Sequence, residues 1–120
     1  MFIVTTVLVA LIALEHAYFL YVEMFRWTSP SAQRAFGTTA SFAEESKTLA
    51  ANQGLYNGFL AAGLVWAIVA PPEMQRPLAA FFASCVLIAG IYGGVTVTRR
   101  ILMIQALPAA LCLISLLIWR

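Results

Sequence analysis

The chain has 120 residues, of which 62% are hydrophobic and 10% charged, with a net charge of +2. Soluble domains carry roughly a quarter charged residues, so this composition cannot supply the polar surface of a water-soluble globule. One domain fits the length, and so small a positive charge excludes a nucleic-acid partner.

An N-terminal signal peptide is the first alternative to weigh. No Lys or Arg precedes the opening apolar run, and no small-residue cleavage site closes it. It is therefore read as a retained first helix over about 2–25. About 20 mostly apolar residues make a membrane span, and four stretches qualify. The predicted helices cover about 2–25, 42–70, 78–98 and 101–119. Between the first two, Ser29-Pro30 reads as an N-cap with proline at the first helical position, and Gly37 as a stop. A short interfacial helix over about 30–36 is predicted there. Ser41-Phe42-Ala43-Glu44 reads as a capping box, placing the start of the second long helix near Phe42. The third is expected to start just after Pro77. Pro108 should leave an unpaired carbonyl near Ile104 in the fourth. Continuous apolar runs, rather than alternation, argue against a β-barrel. The predicted fold is all-α, an integral membrane four-helix bundle.

Orientation follows from the basic residues. Arg26, Arg34 and Lys47 follow the first helix, and Arg99 and Arg100 follow the third; the opposite side has Arg76 and Arg120. The excess puts the basic loops in the cytoplasm and both termini outside. Gly54/Gly58 and Gly90/Gly94 are small-residue pairs at helical spacing. They suggest close helix packing, and a homo-oligomer through these glycine-rich faces.

Ionisable groups at membrane depth are costly and mark functional sites by default. Glu15 and His16 sit in the middle of the first run, with Glu23 nearer its end. Counting 1.5 Å per residue from Arg26 puts Glu15 roughly 16 Å in and Glu23 roughly 5 Å in. Counting from Lys47 puts Asn52 and Gln53 about 8 to 9 Å in, and Asn57 about 15 Å in, level with Glu15 and His16. Tyr56 shares a stripe with Asn52. Tyr92 and Gln105 form a second tier at comparable depth. The polar groups thus gather in the cytoplasmic half and are expected to face one another.

That cluster admits several readings. One is a polar lock fixing helix register. Another is a site for a proton, cation or small polar ligand in a small transporter or channel-like protein, with Glu15 titrating, His16 as its partner and Glu23 at the mouth. A membrane enzyme on a lipid-like substrate would use Glu15 as acid or base with His16. A metal site is disfavoured, because adjacent residues on a helix point about 100° apart and no Glu-Xaa-Xaa-His occurs. No metal or cofactor is expected, and no catalytic residue is assigned. Cys85 and Cys112 lie in apolar runs and read as small buried hydrophobes. The expected partner is the lipid bilayer.

Leu14-Glu15-His16-Ala17-Tyr18-Phe19, Glu23-Met24-Phe25-Arg26-Trp27 and Asn52-Gln53-Gly54-Leu55-Tyr56-Asn57-Gly58-Phe59-Leu60-Ala61 carry a resemblance. They are similar to a family of small bacterial four-helix membrane proteins catalogued as a domain of unknown function, number thirteen-oh-four. The resemblance covers nearly the whole chain. It implies the four-helix fold and places Glu15, His16, Glu23, Asn52, Gln53, Tyr56 and Asn57 in the family's signature. It implies no particular activity.

Overall fold

A computed structural model describes residues 1–119, and those residues are all-helical, with no strand among them. Five α-helices follow in order: α1 Ile3–Phe25, α2 Pro30–Phe36, α3 Ala40–Val69, α4 Pro72–Thr96 and α5 Leu107–Ile118. A π-helical turn, Leu102–Ala106, leads directly into α5. α1 and α4 are long and apolar enough to cross a membrane. α3 is longer but carries Glu44, Glu45 and Lys47 in its opening turns. α5 with its π-turn makes a shorter apolar helix, Leu102–Ile118.

Three element boundaries differ from the sequence expectation, each for a local reason. α3 starts at Ala40, because Thr39 rather than Ser41 supplies the cap: Phe42 N–H donates to Thr39 Oγ1 at 3.2 Å. α4 starts at Pro72, not after Pro77. Pro72 takes the first-turn position that suits proline, and Pro77 lies inside the helix, giving up one main-chain hydrogen bond, to Glu73. The last helix is not uniform. Leu107 N–H reaches back five residues to Leu102 carbonyl, widening the turn just ahead of Pro108. A π-turn is a recurrent way to accommodate a disruption in the helical ladder.

α2 is bounded by short-range chemistry. Ser29 Oγ accepts from Ala32 N–H, Pro30 opens the helix, and Gly37 closes it at φ 66°, ψ 32°. That left-handed conformation suits glycine. Gly37→Ala should cost about 1 kcal/mol although nothing lies within 4 Å of an added Cβ. A thermal midpoint in detergent would show it.

The chain divides into two compact units, and α1 and α3 run through both. One unit is Met1–Leu14 with Leu60–Arg120. Four helical segments share its core: Val9, Ile12 and Ala13 of α1, Leu64 and Ala67 of α3, Ala79, Ala83 and Val86 of α4, and Ala109, Cys112 and Leu116 of α5. The many alanines let backbones approach closely. Gly90 takes this furthest: a Cβ there would lie 2.6 Å from the Ala106 main-chain nitrogen in the π-turn. One buried polar pair crosses the core: the Ser115 hydroxyl lies 2.9 Å from Thr5 Oγ1 and 2.7 Å from the Cys112 carbonyl. Ser115→Ala should cost about 1 kcal/mol, while adding Thr5→Val should cost little more, since both partners are then apolar. Thermal midpoints of the two variants test this.

The other unit, Glu15–Phe59, holds the second half of α1, α2 and the first half of α3. Trp27 Nε1 donates to Ser46 Oγ at 3.0 Å, and its ring lies 5.0 Å from that of Phe36 on α2. Val22, Ala32, Ala43 and Ala50 are buried.

α1, α4 and α5 expose many apolar side chains. On α1, Ile3, Val7, Leu11, Leu14, Tyr18, Tyr21 and Phe25 are all exposed and recur every three or four positions, forming one stripe along the whole helix. α4 exposes Phe81, Ile88, Ile91 and Val95, and α5 exposes Leu107, Leu111, Ile114, Leu117 and Ile118. Among the described residues Thr5, His16 and Ser115 are polar and buried.

Candidate polar site

The site is built by two helices passing each other. The Trp27–Ser46 bond and the glycines of α3 set their register. A Cβ on Gly54 would meet Met24 Cγ at 2.7 Å and Glu23 Cβ at 3.1 Å, and one on Gly58 would run into Leu20 Cδ1. Glycine there lets α3 lie directly against α1. In that register Asn57 Nδ2 donates to Glu23 Oε1 at 2.6 Å, joining helices 34 residues apart in sequence. Both side chains are half-buried. A short bond from an amide to a carboxyl group is the strong, charge-assisted kind when the acid is ionised.

Asn57 was expected level with Glu15 and His16; it meets Glu23 instead. Equal depth counted from Arg26 and Lys47 assumes that those two residues are level. The Gly54 and Gly58 contacts displace that register by about two helical turns.

Glu15 is half-buried, and His16 beside it is wholly buried, its ring edge-on to Phe19 at 5.4 Å. Their different burial follows from the 100° step between neighbours on a helix. Glu15 lies eight residues from Glu23 on one helix, roughly 12 Å along the axis, so the two acids cannot grip one small ion together. Asn52, Gln53 and Tyr56 are exposed on α3. Tyr92, exposed on α4, and Gln105, half-buried in the π-turn, belong to the other unit. Among the described residues no three His, Cys, Asp or Glu side chains converge as a metal site would need.

The glycine faces expected to join protomers are filled within the chain. Gly54 and Gly58 lie against Leu20 and Met24, and Gly90 and Gly94 against Ala106 and Leu102. Two surface grooves, of about 510 and 420 Å³, are both lined by Arg76 and by no member of the Glu/His/Asn cluster. In the sequence Arg76 stands out only as an orientation marker. A lone cation just after the Pro71-Pro72 pair was the available signal.

The fold and the polar pair define an all-helical protein with a carboxyl–amide link between α1 and α3. The chain belongs to the family described as "Protein of unknown function (DUF1304)", whose model matches residues 10–117. It is similar to the uncharacterized protein YpaA of Lactococcus lactis subsp. lactis (strain IL1403). The two are 36% identical over 117 residues, covering 96% of this chain and 98% of the relative. No solved structure matches the chain.

Proposed function

We propose that the chain is a multi-pass protein of the bacterial inner membrane, a four-helix bundle whose Glu23–Asn57 pair binds a proton, cation or small polar group from the cytoplasmic side. Membrane residence is supported by the exposed apolar stripe of α1, since a helix apolar on its outer face needs lipid or protein around it. Lys and Arg counts orient the bundle with Arg26, Arg34, Lys47, Arg99 and Arg100 in the cytoplasm and both ends outside.

The observation that carries the binding role is Asn57 Nδ2 on Glu23 Oε1, a half-buried polar pair that joins α3 to the apolar α1. Glu15 is a second station further along α1, and His16, buried next to it, is its partner in a relay. Asn52, Gln53 and Tyr56 supply neutral donors on the same stretch of α3. A homo-oligomer, if a transport path needs one, has to use surfaces other than the glycine pairs.

The test is flux across reconstituted vesicles carrying a pH-sensitive dye. Wild type should dissipate an imposed proton or cation gradient. Glu23→Gln should cut that rate about tenfold or more, and Glu15→Gln should do likewise while the protein stays folded. Vesicles with wild-type protein that leak no faster than empty ones would refute transport.

One observation favours a second reading, a structural role. Gly54 and Gly58 pack α3 onto Leu20 and Met24 around the same polar pair, so the pair also locks two helices. On that reading Glu23→Gln lowers thermal stability and there is no flux to lose.

A further inference from the structure

Arg76 is placed unlike the other basic residues. Its guanidinium lies at the end of α5, where Nη1 donates to Trp119 carbonyl at 2.6 Å and Nη2 to Leu116 carbonyl. These bonds fix the planar group at a helix C-terminus, where a cation is favoured. Two of its five N–H donors are so used. The ion pair found among the described residues is Lys47–Glu44, so none of the described carboxylates neutralises Arg76.

Beside this held charge runs a groove of about 510 Å³, lined by Arg76, Pro77, Ala80, Leu113, Leu116 and Leu117. Apart from Arg76 its walls are apolar. Pro77 and Ala80 are three apart on α4 and both small, which opens the space; the leucines of α5 form the other wall. The groove lies between the first turns of α4 and the last turns of α5. On the other side of the guanidinium, Phe2 and Trp119 stack at 4.7 Å, and Trp prefers the headgroup level of a bilayer.

We infer that Arg76 and this groove form a binding site for an anionic phospholipid, with the phosphodiester on the guanidinium and one acyl chain along Pro77, Ala80 and Leu113. The charge complementarity selects the headgroup, because a fixed planar guanidinium suits phosphate geometry. A zwitterionic lipid offers the same phosphate but adds a cation beside Arg76. The site rests on the membrane residence proposed above and is independent of the Glu23–Asn57 pair.

The test is native mass spectrometry of the full chain extracted in mild detergent and offered phosphatidylglycerol, phosphatidylcholine or oleate at equal concentrations. Wild type should retain phosphatidylglycerol about tenfold over phosphatidylcholine. Arg76→Gln should erase that preference. Because this variant also removes a helix cap, Ala80→Phe is the control: it fills the groove, keeps Arg76 on its carbonyls, and should lose phosphatidylglycerol while its circular-dichroism spectrum stays as helical as that of wild type. Equal retention of the two phospholipids by wild type would overturn the site, as would undiminished selectivity in Ala80→Phe. Preferential retention of oleate would overturn the phospholipid assignment. Recovery of the chain only in the soluble fraction would refute membrane residence instead, which separates the two failures.

Discussion

Gly90→Val should be among the most damaging single substitutions in the chain, costing about 3 kcal/mol or more. An added Cβ meets the Ala106 nitrogen at 2.6 Å and the Ala106 Cα at 2.9 Å. These are main-chain atoms, so no side chain can swing away, and the π-turn would have to part from α4. Valine adds two further methyl groups to a contact already too close. By contrast, Gly63→Ala meets the ring of Phe82, a side chain that can turn aside, and should cost less. Denaturant or thermal unfolding in detergent checks both. A Gly90→Val protein as stable as wild type would mean that α4 and the π-turn do not meet at Gly90.

A double-mutant cycle on Glu23 and Asn57 should give the second large effect. Asn57→Leu removes the amide that donates to Glu23 Oε1 and leaves a half-buried acid without that donor, at about 1–3 kcal/mol. Glu23→Leu strands the amide at a similar cost. The double variant should lose less than the sum, with a coupling of about 1–2 kcal/mol, near the upper end for hydrogen bonds between membrane helices. The four unfolding free energies measure it. Strict additivity would show that the 2.6 Å contact contributes no specific link. Asn52→Leu, at an exposed position on the same helix, should show no coupling to Glu23.

Short-range signals in the sequence carried furthest. Ser29, Pro30 and Gly37 bound α2 in the structure because capping, proline geometry and a left-handed turn act over a few residues. Choices between equivalent local signals were harder. Thr39 and Ser41 both offer a hydroxyl, and Pro72 and Pro77 both stand near a helix start; packing decides which is used. Pro108 announced a disturbance but not that a π-turn would absorb it. Glu23 and Asn57 were visible as polar residues in apolar surroundings, yet their pairing was not. It depends on a helix register set by Gly54 and Gly58, which counting from charged ends cannot supply. The role of Arg76 was hidden for a similar reason, since its carbonyl partners lie 40 and 43 residues away.

Membrane topology tests the central claim most directly. Paired reporters, one active only in the cytoplasm and one only outside it, would be inserted near Gly37, near Pro71, near Thr98 and after the last residue. Four crossings should give cytoplasmic signals near Gly37 and Thr98 and external signals near Pro71 and at the C-terminus. A cytoplasmic C-terminus together with an external Pro71 would contradict the four-helix membrane bundle, as would cytoplasmic signals at all four positions.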